Sequence, residues 1–160
     1  MNAEPEVRSW LDARNIPYET IRHSQVFSSI DEAKALGIEA DEVGKSLVVR
    51  QTHEGNLALV VIPGGHKLSS KKIQKLFGSK HARLATESEL EQDLPQFELG
   101  AVPPLSGLVN IPVYIDRRLV DHDTILFNAG SHTESVKMTI HDFINVADAS
   151  VVDVVEEDAA

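Results

Sequence analysis

No cysteine occurs among the 160 residues. That excludes a disulfide, a thiolate nucleophile and any metal site built on sulfur, and it suits a reducing compartment. No apolar run approaches the roughly 20 residues needed to cross a bilayer. The stretch from Met1 to Glu6 also lacks a basic start followed by an apolar segment. Neither a secretion signal nor a membrane span is expected, and the expected location is cytoplasmic. The strong local signatures of enzyme chemistry are missing too: there is no Walker loop, no GxGxxG behind a strand, no HExxH and no GxSxG. His23, His53, His66, His81, His122, His132 and His141 are present, yet no two stand four apart as a helical zinc pair would. No metal and no cofactor are expected.

Positive charge is scarce, with 15 Lys and Arg against 25 Asp and Glu and a formal net charge of -10. It is also unevenly spread. Between Gly55 and Thr86 lie Lys67, Lys71, Lys72, Lys75, Lys80 and Arg83, with His66 and His81 and no acidic residue. Most of the surface would repel a polyanion while this stretch attracts one, a polarity that suits docking of nucleic acid in one orientation. The acidic balance and the lack of a polybasic tail argue against a general DNA-coating role, so neither DNA nor a membrane is an expected partner. On charge alone, Lys71, Lys72 and Lys75 read equally well as the solvated face of a short helix.

The length fits one domain over residues 1–150, followed by an acidic tail over 151–160. Pro5, Val7, Trp10, Leu11 and Arg14 before Asn15-Ile16-Pro17 predict a short amphipathic helix, with Trp10 in the core. Tyr18 to Ile21 predicts a strand, and Ser29 with Glu32 predicts a capped helix over Asp31 to Leu36 that ends at Gly37. A turn through Asp41 to Gly44 precedes two β-rich runs, Ser46 to Gln51 and Leu57 to Ile62, expected as a hairpin that ends at Pro63-Gly64-Gly65. Ser69 or Ser70 caps a helix with Lys71, Lys72 and Lys75 outward, Ile73, Leu76 and Phe77 inward, and Gly78 as its stop. Arg83 to Ala85 predicts a short strand, and Thr86 with Glu89 predicts another capping box. Leu108 to Ile115, Thr124 to Asn128 and Glu134 to Met138 read as strands, Pro112 placing the first at an edge or bulge. Thr139 opens a last helix with Ile140, Phe143, Ile144 and Ala147 on one face. The mixture predicts an α/β (mixed α+β) domain with a mostly antiparallel or mixed sheet.

Three places carry candidate chemistry. Lys45 stands alone at the mouth of the apolar strand Ser46-Leu47-Val48-Val49, where a cation can orient a phosphate or carbonyl or, if desolvated, move a proton. It reads equally as an ordinary exposed lysine at a strand start. The loop from Phe97 to Gly107 holds Gly100, Ala101, Pro103 and Pro104; its glycine lets backbone approach a ligand, its prolines stiffen the chain, and its amides suit a developing oxyanion. Asn128-Ala129-Gly130-Ser131-His132 joins two strands and is either a plain turn or a site where His132 offers a donor and an acceptor beside Gly130.

In this order and spacing, Lys45, Pro63-Gly64-Gly65 before the Leu-Ser-Ser-Lys-Lys helix start, the Gly100-Ala101-Val102-Pro103-Pro104-Leu105-Ser106-Gly107 loop and Gly130-Ser131-His132 resemble the YbaK and prolyl-tRNA-synthetase-associated editing domain family. The likeness spans Ile16 to Ala147. It implies a twisted mixed sheet partly closed into a barrel and flanked by helices, and a freestanding, metal-free deacylase of mischarged tRNA, such as alanyl- or cysteinyl-tRNA(Pro). By resemblance, Lys45 matches the family's key lysine, Gly100 the glycine of its GxxxPxG-like loop and His132 the histidine of its GxH-like segment. Catalytic roles are thereby implied for Lys45, Gly100 and His132, and substrate contacts for Ala101, Pro103, Gly130 and Ser131. tRNA contacts are implied for Lys67, Lys71, Lys72, Lys75, Lys80 and Arg83, with the tRNA acceptor end and an aminoacyl-tRNA synthetase as partners. Ser106 departs from the usual Pro-x-Gly ending. His132 looks more like the alanine- or proline-related branches than the cysteine-editing one. The alternatives are a non-catalytic module of the same fold that binds tRNA or a synthetase, and a hydrolase or transferase acting on small aminoacyl compounds without RNA.

Overall fold

The computed structural model describes residues 4–23, 33–34, 36–52, 55–95, 97, 102–129 and 133–157. Helix α1 (Glu4–Ala13) buries Val7 and Leu11 and lays Trp10 partly against the same core, the repeat of an amphipathic helix. Strand β1 (Glu19–Arg22) follows. Ala33, Lys34 and Leu36 are helical, and Gly37, at φ +67°, turns the chain. The cap expected at Ser29 and Glu32 lies outside the described residues. A 3₁₀ turn at Ala40–Glu42 leads into β2 (Gly44–Arg50), which pairs antiparallel with β3 (Leu57–Pro63) from Gly44 opposite Pro63 to Arg50 opposite Leu57. This is the expected hairpin, starting two residues earlier.

Helix α2 (Ser70–Phe77) begins where the Ser69 hydroxyl accepts the Lys72 amide and stops at Gly78, at φ +64°, with Ile73 buried. After β4 (Arg83–Leu84), α3 (Glu87–Asp93) opens on the full capping box of Thr86 and Glu89. The run Leu108 to Ile115 is not one strand. Ser106–Val109 forms a single helical turn, α4, Asn110 leaves it at φ +59°, and β5 occupies only Val113–Asp116. Nor is β5 an edge strand, since it lies between β3 and β8. Pro112 is tolerated because it precedes the strand, where its carbonyl accepts the Leu59 amide at 2.9 Å and no amide of its own is called for. Helix α5 (Arg117–Val120), strands β6 (Thr124–Asn128) and β7 (Glu134–Thr139), helix α6 (Ile140–Ala147) and strand β8 (Ser150–Val152) complete the described elements.

Two sheets result. One is antiparallel in the order β1-β7-β6; the other is mixed, β4-β2-β3-β5-β8, with β5 and β8 parallel to their neighbours. They meet at a parallel bridge between Val43 and Leu126. Strand β3 is buried on both faces, as a continuous apolar run in a central strand must be. Alternation divides it: Leu59 and Val61 enter the main core with Leu11, Phe127 and Phe143, while Val60 and Ile62 enter a second core with Ile73, Leu76 and Phe77 of α2. The rings of Phe127 and Phe143 stand 5.5 Å apart in the first. Residues 151–157, set apart in the sequence as an acidic tail, continue β8 and bury Val154 and Val155 in the second core.

Candidate functional site

Strand alternation puts Lys45 on the same face of β2 as Leu47 and Val49, the face covered by α2. Lys45 is exposed, and among the described residues no hydrogen bond or ion pair holds its ammonium. Its backbone pairs with Ile62 at the end of β3, just before the Pro63-Gly64-Gly65 turn, whose Gly64 amide donates to the Val43 carbonyl at 2.9 Å. On the other side, the isolated parallel Val43–Leu126 bridge ties the start of β2 to β6, two residues before Lys45. Gly44 makes this seam possible. A Cβ there would stand 2.8 Å from Ile125 Cδ1 and 3.0 Å from Val61 Cγ1, so any side chain would have to push the buried Ile125 side chain aside. A lone cation is thus held where the two sheets meet.

Gly100, Ala101, Gly130, Ser131 and His132 lie outside the described residues; their flanks do not. Ala129 is buried and its amide donates to the Glu134 carbonyl at 3.1 Å, closing the base of the β6–β7 connection. The Thr133 carbonyl accepts the His23 amide at 3.0 Å, and His23 Nε2 stands 2.9 Å from the hydroxyl of buried Ser135. The buried Glu134 carboxylate meets Arg8 Nη1 at 2.6 Å, tying α1 to β7. Beyond Gly100, Val102, Pro103, Pro104 and Leu105 are all buried. Pro103 therefore stiffens the loop from within. Ser106, the departure from the family pattern, donates its hydroxyl to the Ala147 carbonyl at 2.8 Å. Gly107 makes room for Trp10, since a Cβ would stand 2.7 Å from Cζ2 of that ring. Both residues are explained by packing, with no ligand needed.

The basic stretch divides into two groups. Lys67, Lys71, Lys75 and Lys80 are exposed, and no partner holds them among the described residues; Lys71 and Lys75, four apart, share one side of α2. Lys72 is saturated: its ammonium donates to Asp153 Oδ1 at 2.9 Å, the Val155 carbonyl at 2.8 Å and Glu157 Oε1 at 2.7 Å. Contact with Glu157 and Asp153 raises its pKa, and Lys72 in turn holds both carboxylates below their ordinary values. Arg83 grips Glu89, Nη1 to Oε1 at 2.8 Å, and with the Thr86 amide depresses that carboxyl to about 2. Sequence reasoning missed these partners because Asp153 and Glu157 lie 81 and 85 residues from Lys72. Only the capping-box spacing of Glu89 hinted at one of them. His66 is partly covered and stands 3.3 Å from Asp41. Among the described residues no group of three or more His, Cys, Asp or Glu could hold a metal ion.

Lys45 at the seam of the two sheets and Lys71 and Lys75 on α2 are thus exposed cations of one mixed α/β fold. The chain belongs to the aminoacyl-tRNA editing domain family, whose model matches residues 23–146. It is similar to the prolyl-tRNA editing protein ProX of Acetoanaerobium sticklandii, 28% identical over 156 residues, which cover 94% of this chain and 93% of that protein. It is also similar to the proline–tRNA ligase of Shouchella clausii, 31% identical over 102 residues, which cover 63% of this chain and 17% of the ligase. Among solved structures, a protein described as a candidate trans-editing enzyme for prolyl tRNA synthetase shares the fold with a TM-score of 0.85 at 24% identity, over 97% of this chain and 98% of that one. No described helix is long and apolar enough to cross a membrane.

Proposed function

We propose that the protein is a freestanding trans-editing deacylase that hydrolyses the ester between a wrongly attached small amino acid, alanine or cysteine, and tRNA(Pro). The observation that carries this is the pairing of family membership over residues 23–146 with an exposed Lys45 at the seam of the two sheets that has no partner among the described residues. The near full-length likeness to a prolyl-tRNA editing protein supports the choice of tRNA, and the likeness to part of a proline–tRNA ligase supports that synthetase as a partner.

An aminoacyl ester is already activated, so the site has to position water and stabilise an oxyanion; it needs no strong nucleophile. The chain's lack of cysteine is then no obstacle. In this mechanism Lys45 orients the terminal adenosine phosphate or the aminoacyl group. Amides at Gly100 and Ala101 receive the carbonyl oxygen, and His132, with Gly130 and Ser131, fixes the substrate or the terminal ribose. Water attacks the carbonyl carbon, the bond to the ribose oxygen breaks, and that oxygen takes a proton to become the free hydroxyl of the tRNA. Pro103 keeps the loop in place, and Lys67, Lys71, Lys75 and Lys80 contact acceptor-stem phosphates.

The experiment is deacylation of a panel of alanyl-, cysteinyl-, seryl-, threonyl- and prolyl-tRNAs in chelator. Hydrolysis of one or a few pairs that is lost in Lys45→Ala is the expected result. A silent panel with salt-sensitive tRNA binding retained would make the chain a binding module.

A further inference from the structure

The second core ends in a corner of charge at the C-terminal edge of the mixed sheet. Residues 153–157 are held there by backbone: the Ser69 amide donates to the Val154 carbonyl at 2.7 Å, the Glu156 amide to the Lys67 carbonyl at 2.8 Å, and Leu68 bridges Val155 antiparallel. This segment lies across the start of α2, where the basic stretch begins. It presents Asp153 and Glu157 to two cations. Lys72 uses all three of its donors on them and on the Val155 carbonyl, and an ammonium has no fourth. Arg118 reaches Asp116 at 3.3 Å, Asp153 at 3.2 Å and Glu157 at 3.3 Å. Arg117 adds a longer contact to Asp153, at 3.7 Å. Between α2 and β8 a cavity of about 430 Å3 is lined by Lys72, Lys75, Leu76, Val152 and Asp153. Its rim offers the unpaired Lys75 on one side and a carboxylate on the other.

Two oxyanions bound by a lysine and an arginine are the arrangement that a phosphodiester would complete. Resting on the reading of the chain as a tRNA-directed protein, we infer that Asp153 and Glu157 occupy a phosphate position of their own protein. They close the Lys72–Arg118 corner to the RNA backbone, confine it to the Lys71–Lys75 stripe with Lys67 and Lys80, and hold the affinity down. A phosphate approaching Lys75 from the β8 side meets the Asp153 carboxylate. A protein that must release each tRNA after one hydrolysis gains from a surface limited in this way.

The test reads binding alone, with uncharged tRNA over a range of salt concentrations. Asp153→Asn with Glu157→Gln frees Lys72 and Arg118; the dissociation constant falls several-fold and the slope of log K against log salt steepens by about one. Adding Lys72→Ala to that pair reverses most of the gain. Glu6→Gln with Glu19→Gln, which removes the same charge from exposed positions on α1 and β1, leaves the affinity near that of the wild type. Where the double variant folds poorly, Glu157→Gln alone serves, because its side chain is 67% exposed. An unchanged constant, or an equal gain in the Glu6/Glu19 control, overturns the inference. If no variant and no wild type binds tRNA, the tRNA reading itself fails.

Discussion

Two corners of this molecule hold lysines that look alike in the sequence and differ in every structural respect. Lys45 sits at the seam of the two sheets with its ammonium in the open and no partner among the described residues. Lys72, at the second core, is closed off by three acceptors within 2.9 Å. A saturated cation stabilises its neighbours and has nothing left to offer a ligand. An unsaturated one, held in place by a strand and a close glycine contact, adds little to the fold and is available for chemistry. Under the proposed function the contrast separates a residue that builds the protein from one that acts, and each variant below probes one side of it.

The largest effect is expected at the seam. Lys45→Ala should lower deacylation by about 10²-fold or more, the scale of loss when a group that positions the substrate is removed, while the melting temperature stays where it was. In the saturated corner the pattern inverts. Arg118→Ala strips a partner from Asp116, a fully buried carboxylate that retains the Val154 amide at 2.9 Å, and should cost about 1–3 kcal/mol of stability by denaturant titration. Gly107→Ala forces a methyl group against the Trp10 ring and should cost a similar or smaller amount, about 1–3 kcal/mol, by loosening α1 from α4. Exchanging Lys71 and Lys75 for alanine together should flatten the salt dependence of tRNA binding by nearly two in slope; an unaltered slope would remove α2 from the interface.

Acid should find the saturated side first. Glu89, Asp153 and Glu157 are held below their ordinary values in the folded chain. A carboxylate with a depressed folded pKa contributes its full stability above the unfolded value and loses it as pH falls. For Glu89 that window runs from 4.5 down to about 2. Thermal denaturation should therefore show stability falling below about pH 4.5, and less steeply in Glu89→Gln, which lacks one of the three titrating carboxylates; solvent screening at the exposed Asp153 and Glu157 keeps their share small.

Local rules carried much of the fold. Ser69 and Gly78 around α2, the Thr86–Glu89 box and the Thr139 cap were legible because a cap and its partner lie within one turn. The β2–β3 hairpin was legible from two apolar runs across a short polar gap. What escaped depends on distance along the chain. The parallel pairing of β3, β5 and β8 and the burial of Val154 and Val155 have no local signature, and neither do the partners of Lys72. The run from Leu108 to Ile115 misled because its apolar residues serve two elements, a helical turn ended by Asn110 in the left-handed region and a strand that starts only after Pro112. At the site, Lys45 could be singled out because it stands alone at the mouth of an apolar strand. That Gly44 exists to let β2 pass over Ile125 needed the second sheet. Likewise, the use of Ser106 and Gly107 for packing was invisible without Ala147 and Trp10 beside them.

The most direct measurement is a paired one, single-turnover hydrolysis of alanyl-tRNA(Pro) alongside the melting temperature, for wild type, Lys45→Ala and Arg118→Ala. The account predicts a crossing: Lys45→Ala folds like the wild type and hydrolyses at least about 10²-fold more slowly, while Arg118→Ala melts earlier and hydrolyses at the wild-type rate below its transition. Hydrolysis by Lys45→Ala at the wild-type rate would contradict it.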